Sequence, residues 1–147
     1  MTSPAGPVGL ISNPGSGHNR DQFSGIRARI DGTPGVHHLV TTGVQDIDPA
    51  LDNLADRGVR VLAINGGDGT ASAILGRLLE RGVFDEPPLI ALLPGGTANM
   101  NAGDIGIRGS LQKAVERFCQ WCESTPQSDA QTASRALLRV TLGDSPD

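Results

Sequence analysis

Short apolar runs alternate along the chain with longer stretches in which apolar residues recur every three or four positions. The first run, Val8-Gly9-Leu10-Ile11, reads as a strand and ends in Ser12-Asn13-Pro14-Gly15-Ser16-Gly17. A helix is predicted from Arg20 to Ile30, with Phe23, Ile26 and Ile30 as its stripe. Asn19 with Gln22 resembles a capping box for it. His38-Leu39-Val40-Thr41 reads as a second strand. A second helix then starts, with Asp48 as cap and Pro49 at its first position. Ile47, Ala50, Leu51, Leu54 and Ala55 line its inner face, and Gly58 stops it.

Val59 to Ile64 is apolar enough for a strand buried on both sides. A third helix is predicted from about Thr70 to Arg81, with Ala71, Ile74, Leu75 and Leu78 inward and Gly82 as its stop. Leu89 to Leu93 is a fourth strand, and a last clear helix lies between Ser110 and Cys122. Ser124 to Ser134 is polar and reads as a linker, and Ala136 to Leu142 reads as one more strand. Strand and helix alternate throughout. That order predicts an α/β fold, a mostly parallel sheet flanked by helices on both faces.

Three glycine-rich loops each follow a strand directly: Asn13–Gly17, Gly66–Thr70 and Gly95–Asn99. In a parallel sheet such loops emerge on one edge, where ligands of open α/β sheets bind. Glycine lets backbone N–H groups approach an anion, and a following helix adds partial positive charge. Thr70 and Thr97 add hydroxyl donors. Asp68 is out of character in a phosphate cradle, because a carboxylate repels phosphate. It makes sense as a Mg²⁺ ligand or as the acceptor of a proton from an attacking hydroxyl.

Composition narrows the function classes. With 147 residues the chain suits one domain of ordinary size. The 20 glycines sit beside apolar runs, so they read as loops rather than disorder. The net charge of −4, without a run of Lys or Arg, excludes a nucleic-acid surface. No apolar stretch is long enough to span a bilayer, and Met1-Thr2-Ser3-Pro4 lacks signal-peptide character. A cytoplasmic protein is expected, one still able to visit a membrane surface. Cys119 and Cys122 have CxxC spacing, yet they share a helical face with Leu111, Ala114, Val115 and Phe118. Without a second ligand pair, buried thiols are expected rather than a zinc site. His18, His37 and His38 show no partner pattern and are expected to be surface or structural residues. There is no P-loop Gly-Lys-Ser/Thr, and Gly15-Ser16-Gly17 only faintly evokes a dinucleotide fingerprint.

Asn13-Pro14-Gly15-Ser16-Gly17, Gly66-Gly67-Asp68-Gly69-Thr70 and Pro94-Gly95-Gly96-Thr97-Ala98-Asn99 together resemble the diacylglycerol kinase catalytic domain family. That family includes bacterial lipid kinases and sphingosine kinases. It shares the Gly-Gly-Asp-Gly loop with NAD kinases and phosphofructokinases. The resemblance covers roughly residues 7 to 122. It implies a Rossmann-like nucleotide-binding domain and ATP-dependent phosphorylation of a lipid alcohol at a membrane surface, with Mg²⁺. It also implies site residues. Gly66, Gly67, Asp68, Gly69, Thr70, Ala71 and Ser72 would wrap the ATP phosphates. Gly96, Thr97 and Asn99 lie in the third motif, where Thr97 would contact nucleotide. Thr41, with Thr42 as the alternative, would contact it from the second strand. Asn13 would shape the first loop, and Asp68 would be the catalytic and metal-handling carboxylate.

The sequence departs from the family in two ways. Met100 follows Asn99 where the family usually has an acid, and Asp104 is a candidate replacement. The family also has a C-terminal β-rich domain carrying the lipid site, further metal ligands and a glutamate base. Residues 1–123 read as the nucleotide-binding domain, 124–135 as a linker, and 136–147 as the start of that second domain. The isolated chain is therefore expected to bind nucleotide weakly without turnover. An NAD kinase-like enzyme and a non-catalytic nucleotide-sensing module stand as alternatives, and a homodimer is left open.

Overall fold

The computed structural model describes residues 6–96 and 109–124. Four strands form one sheet: β1 (Val8–Ser12), β2 (Val36–Val40), β3 (Val61–Gly66) and β4 (Leu89–Pro94). Their order across the sheet is β2-β1-β3-β4, and every pairing is parallel. Among the described residues four helices join or follow them: α1 (Asn19–Asp31), α2 (Ile47–Asp56), α3 (Asp68–Arg81) and α4 (Leu111–Glu123). A single 3₁₀ turn, Val44–Asp46, precedes α2. The expected α/β class with a parallel sheet is what the chain adopts.

The strand order fixes which face each helix covers. From β1 the chain moves one way to β2, then returns past β1 to β3 and continues to β4. Crossovers between parallel strands are right-handed, so reversing direction moves the helix to the other face. Accordingly Ile26 and Ile30 of α1 join Leu111, Ala114, Val115, Phe118 and Cys119 of α4 in one core. Ala50, Leu51 and Leu54 of α2 join Ala71 and Ile74 of α3 in the other. Residues alternate along the central strands in the same way. Val61 and Ala63 of β3 face the first core, while Leu62 and Ile64 face the second. Burying each such Leu or Ile is worth about 1.5–3 kcal/mol, so both faces of β1 and β3 are strongly specified.

Several local readings need correction. The Asn19–Gln22 capping box does not form: α1 starts at Asn19, after His18, and has no side-chain cap. Asn19 is buried among strand ends instead. Asp48 does not cap α2, which begins at Ile47. Its carboxylate accepts from Nε and Nη2 of Arg77 at 2.8 and 2.7 Å, tying α2 to α3. That neighbouring guanidinium holds Asp48 below the usual carboxylate range. α3 begins two residues before the expected Thr70, which brings Asp68 into its first turn. It ends as expected at Gly82, whose φ of +56° is a left-handed conformation that favours glycine.

In α4 the predicted apolar face is inward and Ser110 caps the helix, its Oγ accepting from Lys113 N at 3.3 Å. Both cysteines are free, Cys119 buried and Cys122 half-buried. Among the described residues no group of three His, Cys, Asp or Glu could hold a metal ion. No described helix is long and apolar enough to cross a membrane. The 124–135 linker beyond Ser124 and the strand read over Ala136–Leu142 lie outside the described residues, as do Thr97, Asn99, Met100 and Asp104.

Candidate functional site

The loops after β1 and β3 leave the sheet toward opposite faces, because α1 and α3 pack on opposite sides. Between them the strand ends form a crevice, the usual ligand position in doubly wound sheets. A pocket of about 350 Å³ opens there, lined by Asn13, Thr41, Gly43, Val44, Ile47, Gly69, Thr70 and Ala73. Four of these were singled out in the sequence: Asn13, Thr41, Gly69 and Thr70. They come from the ends of β1, β2 and β3, so tertiary structure brings them together.

The loops are also bonded to one another. Asn13 Nδ2 donates to Thr70 Oγ1 at 2.9 Å, and Ser16 Oγ lies 3.4 Å from the same hydroxyl. Asn13 Oδ1 accepts from Gly15 N at 3.0 Å, which folds the first loop onto itself. Gly95 N donates to Gly66 O at 3.2 Å, joining the third loop to the second. Gly95 O accepts from His18 N and Asn19 N at 3.0 and 3.3 Å, joining it to the first. This last contact changes one expectation. The opening N–H groups of α1 are taken by a carbonyl, so that helix end does not offer them to an anion. At α3 the first intrahelical bond runs from Ala71 N to Gly67 O. The N–H groups of Gly69 and Thr70 precede it and have no acceptor within the helix.

Below the loops lies a polar layer. Ser12, Asn19 and Asn65 are fully buried. Asn19 Nδ2 donates to Asn13 O at 2.9 Å and to Asn65 Oδ1 at 3.0 Å. Asn65 Nδ2 donates to Ser12 Oγ at 3.1 Å. Ser12 Oγ and His38 Nε2 are 2.7 Å apart, and His38 Nδ1 lies 2.8 Å from Asp31 Oδ1. The His38 side chain is only 4% exposed, so it is structural and not a surface residue. Burial pushes its pKa down, opposed by the hydrogen bond it donates to Asp31. Gly95 sits against this layer. A Cβ there would stand 2.4 Å from Asn65 Oδ1 and 2.6 Å from Asn19 Nδ2, so only glycine fits.

The remaining expected site residues are placed as follows. Thr41 is buried at the pocket, its N donating to Ser12 O at 2.9 Å. Thr42, the alternative, is exposed, and both its N and Oγ1 donate to Asp46 Oδ2. Those two bonds hold the Asp46 carboxyl below its usual range. Gly66 and Gly67 form the turn into α3, and Gly96 packs against Gly67, a Cβ on which would lie 3.2 Å from Gly96 Cα. Ala71 faces the core and Ser72 faces solvent, so neither side chain lines the pocket. Sequence reasoning missed Ser12, Asn19 and His38, and gave Asn65 no role. The available signal was a polar residue closing an otherwise apolar buried strand, which must find a partner inside.

A model of the diacylglycerol kinase catalytic domain matches residues 7–127, most of the chain and all three loops. The chain belongs to this family. One relative, "Probable lipid kinase YegS-like" from Enterobacter sp. (strain 638), is 34% identical over 107 residues, covering 73% of this chain and 36% of that protein. Among solved structures, a protein of Bacillus anthracis str. Sterne assigned as a diacylglycerol kinase superposes with a TM-score of 0.63 at 24% identity. That match covers 82% of this chain and 44% of the other, and it speaks to the fold alone. This diacylglycerol kinase-family chain thus spans less than half the length of each of these two proteins.

Proposed function

We propose that the crevice binds the phosphates of ATP and that the chain is the nucleotide-binding half of a lipid kinase. The convergence of Asn13, Thr41, Gly69 and Thr70 on one pocket carries this reading. Hydroxyls at Thr41 and Thr70 and N–H groups at the start of α3 suit phosphate oxygens, and the helix end adds positive charge. Val44, Ile47 and Ala73 supply an apolar wall of the kind that covers a base or ribose face. Thr97 and Asn99 would close the site from the third loop.

Mg²⁺ would come with the nucleotide. The ion usually takes one or two carboxylates and completes its shell with phosphates and water. Asp68, in the first turn of α3, is a single carboxylate beside the cradle, so the donor set fits a nucleotide-borne ion. When bound, the ion neutralises phosphate charge. The chain holds the phosphates still and keeps a carboxylate where an acceptor hydroxyl must lose its proton. Residues 124–135 would link this domain to the β-rich one, which would carry the lipid acceptor.

Calorimetry of ATP and ADP, with and without Mg²⁺, tests the reading. Binding that strengthens with Mg²⁺ and weakens in Asp68→Ala and Thr70→Val is expected. Binding of equal strength in parent and variants would overturn the placement of the nucleotide.

A further inference from the structure

A line of side-chain hydrogen bonds runs from the surface to the crevice, and its outer half lies in none of the glycine-rich motifs. Asp31, the last residue of α1, meets His38 of β2 at 2.8 Å, and His38 meets Ser12 at 2.7 Å. Asn65 joins Ser12 at 3.1 Å, and Asn19 joins Asn65 at 3.0 Å. Asn19 holds the Asn13 carbonyl at 2.9 Å, and the Asn13 side chain holds Thr70 at 2.9 Å.

The line has a direction. An ionised Asp31 only accepts, so His38 Nδ1 carries the proton, and a neutral ring leaves Nε2 as an acceptor. Ser12 then gives its O–H to Nε2 and receives the N–H of Asn65. Asn65 Oδ1 receives from Asn19, whose amide also donates to Asn13 O. One atom is left over: Asn19 Oδ1 is buried without a partner, alone in this among the described residues.

The same heavy atoms allow a second arrangement. A protonated His38 makes Nε2 a donor. Ser12 Oγ would then face two donors, and its own proton would have no acceptor. Turning over the Asn65 amide gives that proton to Oδ1. Asn65 Nδ2 then faces Asn19, whose amide turns over in answer. Asn19 Oδ1 then accepts from Asn65 Nδ2 but faces the Asn13 carbonyl, which loses the N–H that held it, and Asn19 Nδ2 takes the buried position that has no partner.

We infer that His38 and Asp31 are positioning residues for the Asn13–Thr70 loop pair, and that protonating His38 weakens nucleotide binding by reversing the hydrogen bonds through Ser12, Asn65 and Asn19. The inference rests on the nucleotide reading of the crevice. The surroundings of the ring favour its neutral form. The Phe23 ring of α1 stands 6.3 Å away, and α1 also brings Asp31 and Arg27. β1 offers only the neutral Ser12. His37, its neighbour on β2, lies against Arg57 at 3.3 Å. Burial is the largest influence on His38 and lowers its pKa, Arg27 lowers it further, and Asp31 opposes both. Affinity is therefore full at neutral pH and falls in acid.

The test follows the chain by NMR from about pH 8 to about pH 5, the range in which histidine titrates. The expected result is an Nδ1–H tautomer at neutral pH, and amide signals of Gly15 and Thr70 that shift with the His38 midpoint. ADP binding across the same range should weaken about three- to tenfold, the worth of one hydrogen bond. It should do so in the parent and not in His38→Gln, whose side-chain carbonyl can still accept from Ser12. Titration of the ADP phosphate occurs in both proteins and cancels. Asp31→Asn should move the midpoint to lower pH. Amides that stay still while His38 titrates would overturn the inference, as would a pH dependence that survives in His38→Gln. Absence of ADP binding at every pH would instead sink the nucleotide reading, and the amide titration would then decide the positioning role by itself.

Discussion

Asn13 and Thr70 are 57 residues apart in the chain, and Nδ2 of the first donates to Oγ1 of the second at 2.9 Å. The bond fastens the loop after β1 to the first turn of α3, on the wall of the pocket. Thr70→Val keeps the shape and removes the hydroxyl. It should cost about 1 kcal/mol of stability, the net worth of a hydrogen bond, and weaken ADP binding. Urea unfolding and calorimetry read the two effects. Unchanged affinity would mean that the bond holds the fold without serving the site.

Gly95 lies on the buried Asn19–Asn65 pair, where a Cβ would meet side-chain atoms at 2.4 and 2.6 Å. Gly95→Ala must push that pair apart. Overpacking of this kind costs about 1–3 kcal/mol, seen as a lower urea midpoint. Gly25→Ala, with open space around its Cβ, is the control and should not destabilise.

The folded protein resists protonation of His38, since burial depresses its pKa. The unfolded chain takes that proton near the ordinary histidine value of about 6.5. Stability should therefore decline as pH falls from there toward the depressed folded value, and level off below it. In His38→Gln this component of the pH profile should vanish. Chemical denaturation at several pH values measures it.

Burial pushes the Cys122 thiol up to about 12 and raises that of Cys119 as well. Thiolate is the reactive form. Neither residue should react appreciably with iodoacetamide in the folded protein under mildly basic conditions, while both should react in urea. Mass spectrometry counts the adducts. Rapid labelling of the native chain would revive a redox or metal role for the CxxC pair.

Asp68 sits in the first turn of α3, beside Gly69 and Thr70 at the pocket. In a longer chain that carries the proposed β-rich domain, Asp68→Asn should keep nucleotide binding without Mg²⁺, weaken the gain that Mg²⁺ brings, and lose most turnover. A loss of about 10²-fold or more is the scale of general acid–base catalysis. A lipid phosphorylation assay alongside calorimetry separates the two. Full turnover in the variant would remove the carboxylate from the mechanism.

The extent to which the sequence foretold all this depended on distance along the chain. Strands and helices announced themselves because one element's burial is written within it: Leu111, Ala114, Val115 and Phe118 face inward by their spacing alone. Gly82 stopped α3 for an equally local reason, its left-handed φ. The three loops were legible because glycine, threonine and an acid follow the strands directly. Partners of polar residues were not legible. Asn19 looked like a helix cap because caps are local, yet its contacts are Asn13 and, 46 residues away, Asn65. His38 looked idle because Ser12 lies 26 residues back, on a neighbouring strand. Asp48 looked like a cap until Arg77, 29 residues on, took its carboxylate. Thr41 stood ahead of Thr42 by resemblance alone, and only the turn after β2 buried the first and gave the second to Asp46. Periodicity thus determined the elements and the edge of the sheet where chemistry collects. Which polar atoms meet there was decided only when parallel pairing brought remote strand ends together, since a buried donor takes whatever acceptor the assembled fold puts within reach.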